Sequence, residues 1–251
     1  MTALLHTEQL AVTYGGVCAL GGVDLDVVEG TLVGLIGPNG AGKTTFIDAL
    51  TGFAPATGRV TFRGREVTDL GPQHRARLGL ARTWQAVELF DDLSVRENLQ
   101  VAAERQSVRA LLSDLLRPRR SRAGEGVDPA LAAVGVAHLA DRHPGELSHG
   151  ERKLVGVARA LAASPSLVCL DEPAAGLDTA ESRQLGARLR GIVEAGTTIL
   201  LVDHDMGLVL DVCDRVVVLD EGTLIADGTP GEIQRSPEVV QAYLGVGGSP
   251  S

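Results

Sequence analysis

The sequence is poor in aromatic residues, cysteine and lysine. Only 3% of its 251 residues are aromatic, so the 44% that are hydrophobic must build an aliphatic core. The three cysteines, Cys18, Cys169 and Cys213, are widely spaced and form no CxxC pair, which argues against a disulfide framework and a zinc site and favours a reducing compartment. Lys43 and Lys153 are the only lysines in the sequence, so each is worth locating.

Long hydrophobic runs and an excess of basic charge are also missing. Apolar runs such as Thr198–Val202 are far shorter than the ~20 residues that span a bilayer, and the N-terminus lacks a signal-peptide pattern. The chain has 23 Lys+Arg and 32 Asp+Glu, a formal charge of −9, which disfavours nucleic acid as a partner because such proteins present a basic face. We expect a soluble cytoplasmic protein.

Hydrophobic patterning predicts a mixed α/β chain. The first sixty residues are β-rich, and the segments Leu10–Thr13 and Val23–Val28 alternate apolar and polar side chains, as half-buried strands do. Later apolar strands at residues 167–170, 198–202 and 215–219 are separated by helix-length segments, which predicts right-handed crossovers and a parallel sheet. An arginine-rich stretch at residues 117–122 interrupts a helical region; we interpret it as a solvated loop, with contact to lipid phosphates or a partner as the alternative.

One glycine-rich segment has a phosphate-binding pattern. Residues 37–44 fit G-x-x-x-x-G-K-[ST] at every position and lie between an apolar strand and a helix. Such glycines turn backbone N–H groups towards phosphate oxygens, and the helix directs its positive end at the same anion. We expect Lys43 to neutralise the β- and γ-phosphates and Thr44 to ligate Mg²⁺. The candidate nucleotide-binding residues here are Gly37, Pro38, Asn39, Gly40, Ala41, Gly42, Lys43, Thr44 and Thr45.

A second candidate site lies where the strand at residues 167–170 ends in two acids. Because ligand groups gather at the carboxyl ends of parallel strands, Asp171 is predicted to hold Mg²⁺ and Glu172 to activate the attacking water. Phosphoryl transfer needs such a metal and an oriented nucleophile. An isolated Asp-Glu pair is more often a helix cap or a solvated turn, but the phosphate loop favours the functional interpretation.

Further motifs, in order along the chain, resemble those of ATP-binding cassette (ABC) ATPases. The segment Leu-Ser-His-Gly-Glu at residues 147–151 resembles the LSGGQ signature, although His149 and Glu151 depart from it. The resemblance covers nearly the whole chain. The other matching residues are Tyr14 for the aromatic that stacks on adenine, Gln85 for the Q-loop glutamine, Asp178 for the D-loop and His204 for the switch histidine.

The resemblance implies a single cassette over residues 1–251. It would combine a RecA-like parallel-sheet core of the P-loop NTPase class, an N-terminal antiparallel β subdomain, a helical subdomain at about residues 86–163 and a C-terminal tail at residues 230–251. It also implies a head-to-tail dimer in which ATP lies between one phosphate loop and the other subunit's signature, contacted there by Ser148 and the Gly150 amide. Glu172, His204 and Gln85 would be catalytic, and Gln85 would also sense Mg²⁺.

Flanking segments closely resemble the ATPases of branched-chain amino-acid importers, at residues 50–53, 81–85, 171–176 and 203–206. This implies ATP hydrolysis that powers uptake of these amino acids at the cytoplasmic face of the membrane. The implied partners are permease subunits, a sister ATPase or a second copy, and an external solute-binding protein. Urea and amide importers share the pattern, the lipopolysaccharide-export ATPase is a poorer match, and a non-transport ABC ATPase is a further alternative. A GTPase is disfavoured because Asn-Lys-x-Asp is absent from the sequence.

Overall fold

The computed structural model describes residues 3–84, 89–103 and 126–244. The strands are β1 (Ala3–Tyr14), β2 (Val17–Val28), β3 (Leu32–Ile36), β4 (Thr57–Phe62), β5 (Arg65–Glu66), β6 (Leu80–Arg82), β7 (Leu167–Asp171), β8 (Thr198–Val202), β9 (Arg215–Asp220) and β10 (Thr223–Gly228). The helices are α1 (Lys43–Thr51), α2 (Pro72–Arg77), α3 (Val95–Ala103), α4 (Val127–Ala133), α5 (His149–Leu161), α6 (Thr179–Glu194), α7 (Met206–Val212), α8 (Pro230–Ile233) and α9 (Pro237–Leu244), with 3-10 turns at Ala137–Leu139 and Pro144–Glu146.

Two sheets organise the described part of the chain. The larger has the strand order β10-β9-β3-β8-β7-β6, in which β9, β3, β8, β7 and β6 run parallel and β10 pairs with β9 antiparallel. The smaller is antiparallel, with the order β2-β1-β4-β5. The predicted α/β class is therefore confirmed, with a mostly parallel sheet beside an N-terminal antiparallel one.

Burial on both faces explains the continuous apolar runs of the central strands. Every residue of β3, β7 and β8 is buried, as expected for parallel strands that are covered on both sides. One face packs against helices, with Leu99, Leu131 and Val155 in that cluster. The other packs with α1 and the antiparallel sheet, around Phe46 and Phe62. The core is mainly aliphatic, as the composition indicates.

Strand register brings the predicted site residues to one edge of the larger sheet. Leu35 of β3 pairs with Val202 of β8, and Val202 pairs with Asp171 of β7. The phosphate loop leaves β3 at that level, and the Glu172 N–H donates to the Val202 carbonyl at 2.7 Å. The topology thus places the loop and the acidic strand end side by side.

The helical region differs from the pattern in one place. Residues 129–139 have a helical pattern in the sequence, whereas α4 begins at Val127 and ends at Ala133. Gly135 follows with φ of 70°, a left-handed conformation that interrupts the helix. The arginine-rich stretch at residues 117–122 and the tail beyond residue 244 lie outside the described residues. Within the described ranges, every helix is too short or too polar to cross a bilayer.

Candidate functional site

The phosphate loop joins β3 to α1 and is shaped by its glycines. Gly42 precedes α1 in a left-handed conformation, and no side chain in the described part of the chain caps that helix end. Its first N–H groups are therefore free to meet an anion. At Gly37, a Cβ atom would lie 2.1 Å from the Leu219 carbonyl oxygen, so a larger residue cannot occupy the start of the loop.

Lys43, the first residue of α1, folds back over the loop. Its ammonium donates to the carbonyl oxygens of Gly37 at 2.7 Å and Pro38 at 2.9 Å. Burial lowers the pKa of Lys43, and the charges of Glu172 and Asp171 oppose that shift. The geometry thus holds a cation beside the open helix end and close to both acids.

Asp171, at the end of β7, is a buried carboxylate with unmet bonding capacity. It is 2% exposed, and within the described residues neither carboxylate oxygen has a hydrogen-bond partner. Its closest cation is the Arg82 guanidinium, with Nη2 3.7 Å from Oδ2. Burial raises the pKa of Asp171 against the opposing charge of Arg82. Such an orphaned carboxylate fits a hard divalent cation, and Mg²⁺ commonly takes one or two carboxylates together with substrate phosphates.

Sequence reasoning missed Arg82, which links Asp171 to α1. Arg82 forms an ion pair with Asp48 of α1 and stacks 4.2 Å above the Trp84 ring and 5.6 Å from Phe53. The two rings contact each other edge to face at 4.7 Å. The sequence pattern does not single out Arg82, because β6, which carries it, is only three residues long.

Glu172 follows Asp171 in an unusual backbone conformation. Its φ is 49°, in the left-handed region that non-glycine residues rarely adopt. Its carbonyl accepts a hydrogen bond from the Lys153 ammonium at 2.7 Å, and its side chain is half-buried at the sheet edge. The second lysine of the sequence therefore contacts the backbone of the predicted base.

His204 lies just beyond β8 and is exposed. Its Nδ1 is 3.7 Å from Oδ1 of Asp203, which is buried. Asp203 accepts backbone hydrogen bonds from Ala174 and Asp205, each at 3.0 Å. Asp203 therefore ties the segment after Glu172 to the segment that carries His204.

The signature segment caps its own helix. The Ser148 hydroxyl accepts from the Glu151 N–H at 3.2 Å, and the Glu151 carboxylate accepts from the Ser148 N–H at 2.8 Å. These hydrogen bonds lower the pKa of Glu151. The His149 ring lies against Gly176, where a Cβ atom would be 3.1 Å from Cδ2. The signature and D-loop segments thus pack together within the chain.

Three further predicted site residues are Asp178, Tyr14 and Gln85. Asp178 caps α6, accepting from the N–H groups of Ala180 at 2.7 Å and Glu181 at 2.8 Å. Tyr14 is exposed at the end of β1, and Gln85 lies outside the described residues. The structure brings the loop, Asp171 and Glu172 to one sheet edge, while Ser148 is positioned by α5.

Two models of known protein families match this chain. The model of the ABC transporter family matches residues 20–175, a span that contains the phosphate loop and the acidic end of β7. The chain belongs to the ABC transporter family. A second model, described as a branched-chain amino acid ATP-binding cassette transporter, matches residues 223–249 of this ABC protein. As an ABC cassette, the domain binds ATP or ADP.

Curated ABC relatives match along nearly the whole chain. The high-affinity branched-chain amino acid transport ATP-binding protein LivG of Salmonella typhimurium is 43% identical over 251 residues, covering 96% of this chain and 98% of that protein. BraF of Pseudomonas aeruginosa, with the same description, is 39% identical with the same coverage. The prediction of an ABC transporter ATPase is confirmed by these matches.

Solved ABC cassettes share the fold. A nucleotide-free cassette superimposes with a TM-score of 0.85 at 31% identity, covering 96% of this chain and 99% of that one. An ABC transporter cassette in its ADP conformation gives a TM-score of 0.83 at 31% identity, covering 98% of this chain and 100% of that one. These neighbours confirm the predicted cassette fold.

Proposed function

We propose that this ABC ATPase hydrolyses Mg-ATP to power uptake of branched-chain amino acids. The observation that carries the proposal is the meeting of Lys43, the open end of α1, Asp171 and Glu172 at one sheet edge. The choice of solute rests on relatives described as branched-chain amino acid transport proteins and on the match over residues 223–249.

Nucleotide binding would use the loop backbone and the lysine that it already holds. Lys43 would exchange the carbonyl oxygens of Gly37 and Pro38 for β- and γ-phosphate oxygens. The new bonds join two ionised groups, whereas the ammonium–carbonyl bonds that they replace have a neutral acceptor. The N–H groups at the start of α1, including that of Thr45, would contribute to the same cradle. Tyr14, exposed at the end of β1, would stack on adenine.

Metal binding would use Thr44 and Asp171, with Gln85 as a further ligand. When bound, Mg²⁺ would neutralise negative charge on the phosphates and help align them. Asp171 suits this role because its two oxygens lack hydrogen-bond partners among the described residues. The cation would therefore also compensate a buried carboxylate that is costly when unpaired.

For hydrolysis, Glu172 would accept a proton from the attacking water, and His204 would contact the γ-phosphate. The site would be completed by a sister ATPase or a second copy, whose Ser148 and Gly150 would face the same phosphate. The Ser148 hydroxyl accepts a bond within its own chain, which leaves its proton to donate to a phosphate oxygen. Asp178 would lie between the two sites.

A permease subunit would dock on an aromatic face, which we define as Phe53 and Trp84, whose rings contact each other edge to face at 4.7 Å. These side chains are 49% and 45% exposed. Phe53 and Trp84 also line a cavity of about 340 Å³ between β6 and α5. Aromatic side chains are enriched in protein interfaces, so a cytoplasmic segment of the permease fits this face. Docking there would place the ATPase at the cytoplasmic side of the membrane, opposite an external solute-binding protein.

Transport by the reconstituted complex tests the proposal. The ATPase would be co-purified with its cognate permease subunits, placed in proteoliposomes containing Mg-ATP, and supplied with the solute-binding protein and labelled leucine. We expect ATP-dependent leucine uptake that Lys43→Ala abolishes. Uptake of urea or short amides in place of leucine would overturn the solute assignment, and leucine uptake without ATP would overturn the energy source.

A further inference from the structure

Lys153 is a buried cation whose position is not explained by nucleotide binding. It lies in the second turn of α5 and is 7% exposed. Its ammonium donates to the Glu172 carbonyl at 2.7 Å, across 19 residues of sequence. Lysine is rarely buried because its charge loses hydration. The burial of Lys153 against the backbone of the predicted base therefore indicates a specific role for this lysine.

Lys153 contacts Glu172, which has a left-handed backbone conformation. At φ of 49°, Glu172 adopts a conformation that is unfavourable for a residue with a Cβ atom. Both of its backbone polar groups are fixed: its N–H donates to Val202 at 2.7 Å, and its carbonyl accepts from Lys153. Because the two peptide planes set the direction of the Cα–Cβ bond, these contacts direct the Glu172 side chain.

Lys153 also connects the base to two other regions. It belongs to α5, whose N-terminal residues are the signature segment capped by Ser148. It lines the same cavity of about 340 Å³ as Trp84 and Asp171. A movement of α5, or binding of a group in this cavity, would therefore shift the Lys153 side chain and with it the Glu172 carbonyl.

We propose that Lys153 is a positioning residue for ATP hydrolysis: it fixes the Glu172 backbone and thereby couples the orientation of the base to α5. The proposal rests on the proposed role of Glu172 as the base. Lys153 makes no contact with the reacting atoms in this account. It acts through Glu172, so its loss should slow hydrolysis without weakening nucleotide binding.

The first test compares Lys153→Met, Lys153→Gln and Lys153→Arg in the permease-bound ATPase. Lys153→Met keeps a similar chain length without a donor, and misplacement of a catalytic group by about 1 Å can lower a rate by about 100-fold. We expect Lys153→Met to lower kcat by about 10- to 100-fold, with KM and the Kd for ATP changed less than about threefold. Lys153→Arg, which keeps a cationic donor, should recover most of the rate.

A control and an independent variant separate positioning from folding. Arg183→Met removes a cation from an exposed position of α6 and should leave kcat unchanged. Lys153→Gln retains a shorter donor and keeps the test decisive if Lys153→Met does not fold. Unchanged kcat in Lys153→Gln and Lys153→Met would overturn the proposal, as would a parallel loss of ATP affinity and unfolding midpoint, which indicates a purely structural role.

A double variant distinguishes failure of this proposal from failure of the base assignment. In a Glu172→Gln background, adding Lys153→Met should lower the residual turnover no further, because the group that Lys153 positions has already lost its function. A further tenfold loss would show that Lys153 acts elsewhere. Full turnover in Glu172→Gln alone would instead overturn the proposed base, whatever the behaviour of Lys153.

Discussion

Substitution of Arg75 by methionine should destabilise α1 more than the same substitution of an exposed arginine. Arg75 is 4% exposed, and its guanidinium donates to four backbone carbonyls. Two belong to the end of α1, Ala49 at 2.7 Å and Leu50 at 2.6 Å. The others are Leu70 at 2.8 Å and Thr68 at 2.6 Å. The last turn of α1 contains no basic residue, so Arg75 supplies the cation that a helix C-terminus favours.

The expected loss follows from these four contacts. A hydrogen bond to a charged group contributes about 1.5–3 kcal/mol, so the four together represent roughly 6–12 kcal/mol. Desolvation offsets part of that sum, because burial disfavours the charged guanidinium and lowers the pKa of Arg75. Each buried carbonyl left without its donor costs about 1–3 kcal/mol, and after the desolvation offset we expect a net loss of roughly 3–5 kcal/mol. In a chain of this size it corresponds to a fall in Tm of roughly 10 °C.

Thermal and urea unfolding of the purified chain, followed by circular dichroism, measure this loss. Arg59→Met is the matched control, since Arg59 pairs with Glu8 at 3.0 Å while both side chains are more than half exposed. Such a surface pair contributes at most about 1 kcal/mol. Arg75→Lys should recover only part of the stability, because an ammonium cannot reach four carbonyls at once. Equal midpoints for Arg75→Met and Arg59→Met would show that the four buried bonds of Arg75 add no more stability than the surface pair of Arg59.

Three further predictions concern the site and its partner. Lys43→Ala should weaken ATP binding by at least about tenfold, since a charge-assisted contact is lost; unchanged affinity in a fluorescent-nucleotide titration would contradict it. Because burial raises the pKa of Asp171, its ionised carboxylate contributes unfavourably to folding stability at neutral pH, and this one contribution is relieved as the pH falls through the raised pKa. Asp171→Asn should therefore stabilise the nucleotide-free chain by about 1 kcal/mol and weaken Mg²⁺-dependent ATP binding; lower stability would count against it. Trp84→Asp should reduce permease co-purification, whereas Val240→Asp, on α9 and exposed to nearly the same extent (46% against 45%), should not.

Much of the site could be predicted because its parts are contiguous in sequence. The phosphate loop needs a buried strand, three glycines and a helix start, all within a short segment from Leu32 to Thr51. The acidic end of β7 is equally local, since Asp171 follows four apolar residues directly. The position of both at one sheet edge follows from parallel topology. Local patterns and one general rule were therefore sufficient for these residues.

The remaining contacts depend on packing that no local pattern encodes. The bond from Lys153 to Glu172 needs both the approach of α5 to β7 and the left-handed backbone of Glu172. Arg82 lies on an edge strand of three residues, which is too short to show a period. Arg75 reads as an ordinary surface cation of α2, and its burial is visible only when α1 is packed beside it.

Turnover and ATP affinity of Glu172→Gln, measured side by side on the permease-bound complex, test whether Glu172 is the base for ATP hydrolysis. The substitution keeps the shape of the side chain and removes its basicity. We expect ATP binding within about threefold of the unmodified protein and a loss of turnover of at least about 100-fold, the scale of general-base catalysis. Turnover that persists at the original rate would contradict the assignment of this sheet edge as the hydrolytic site.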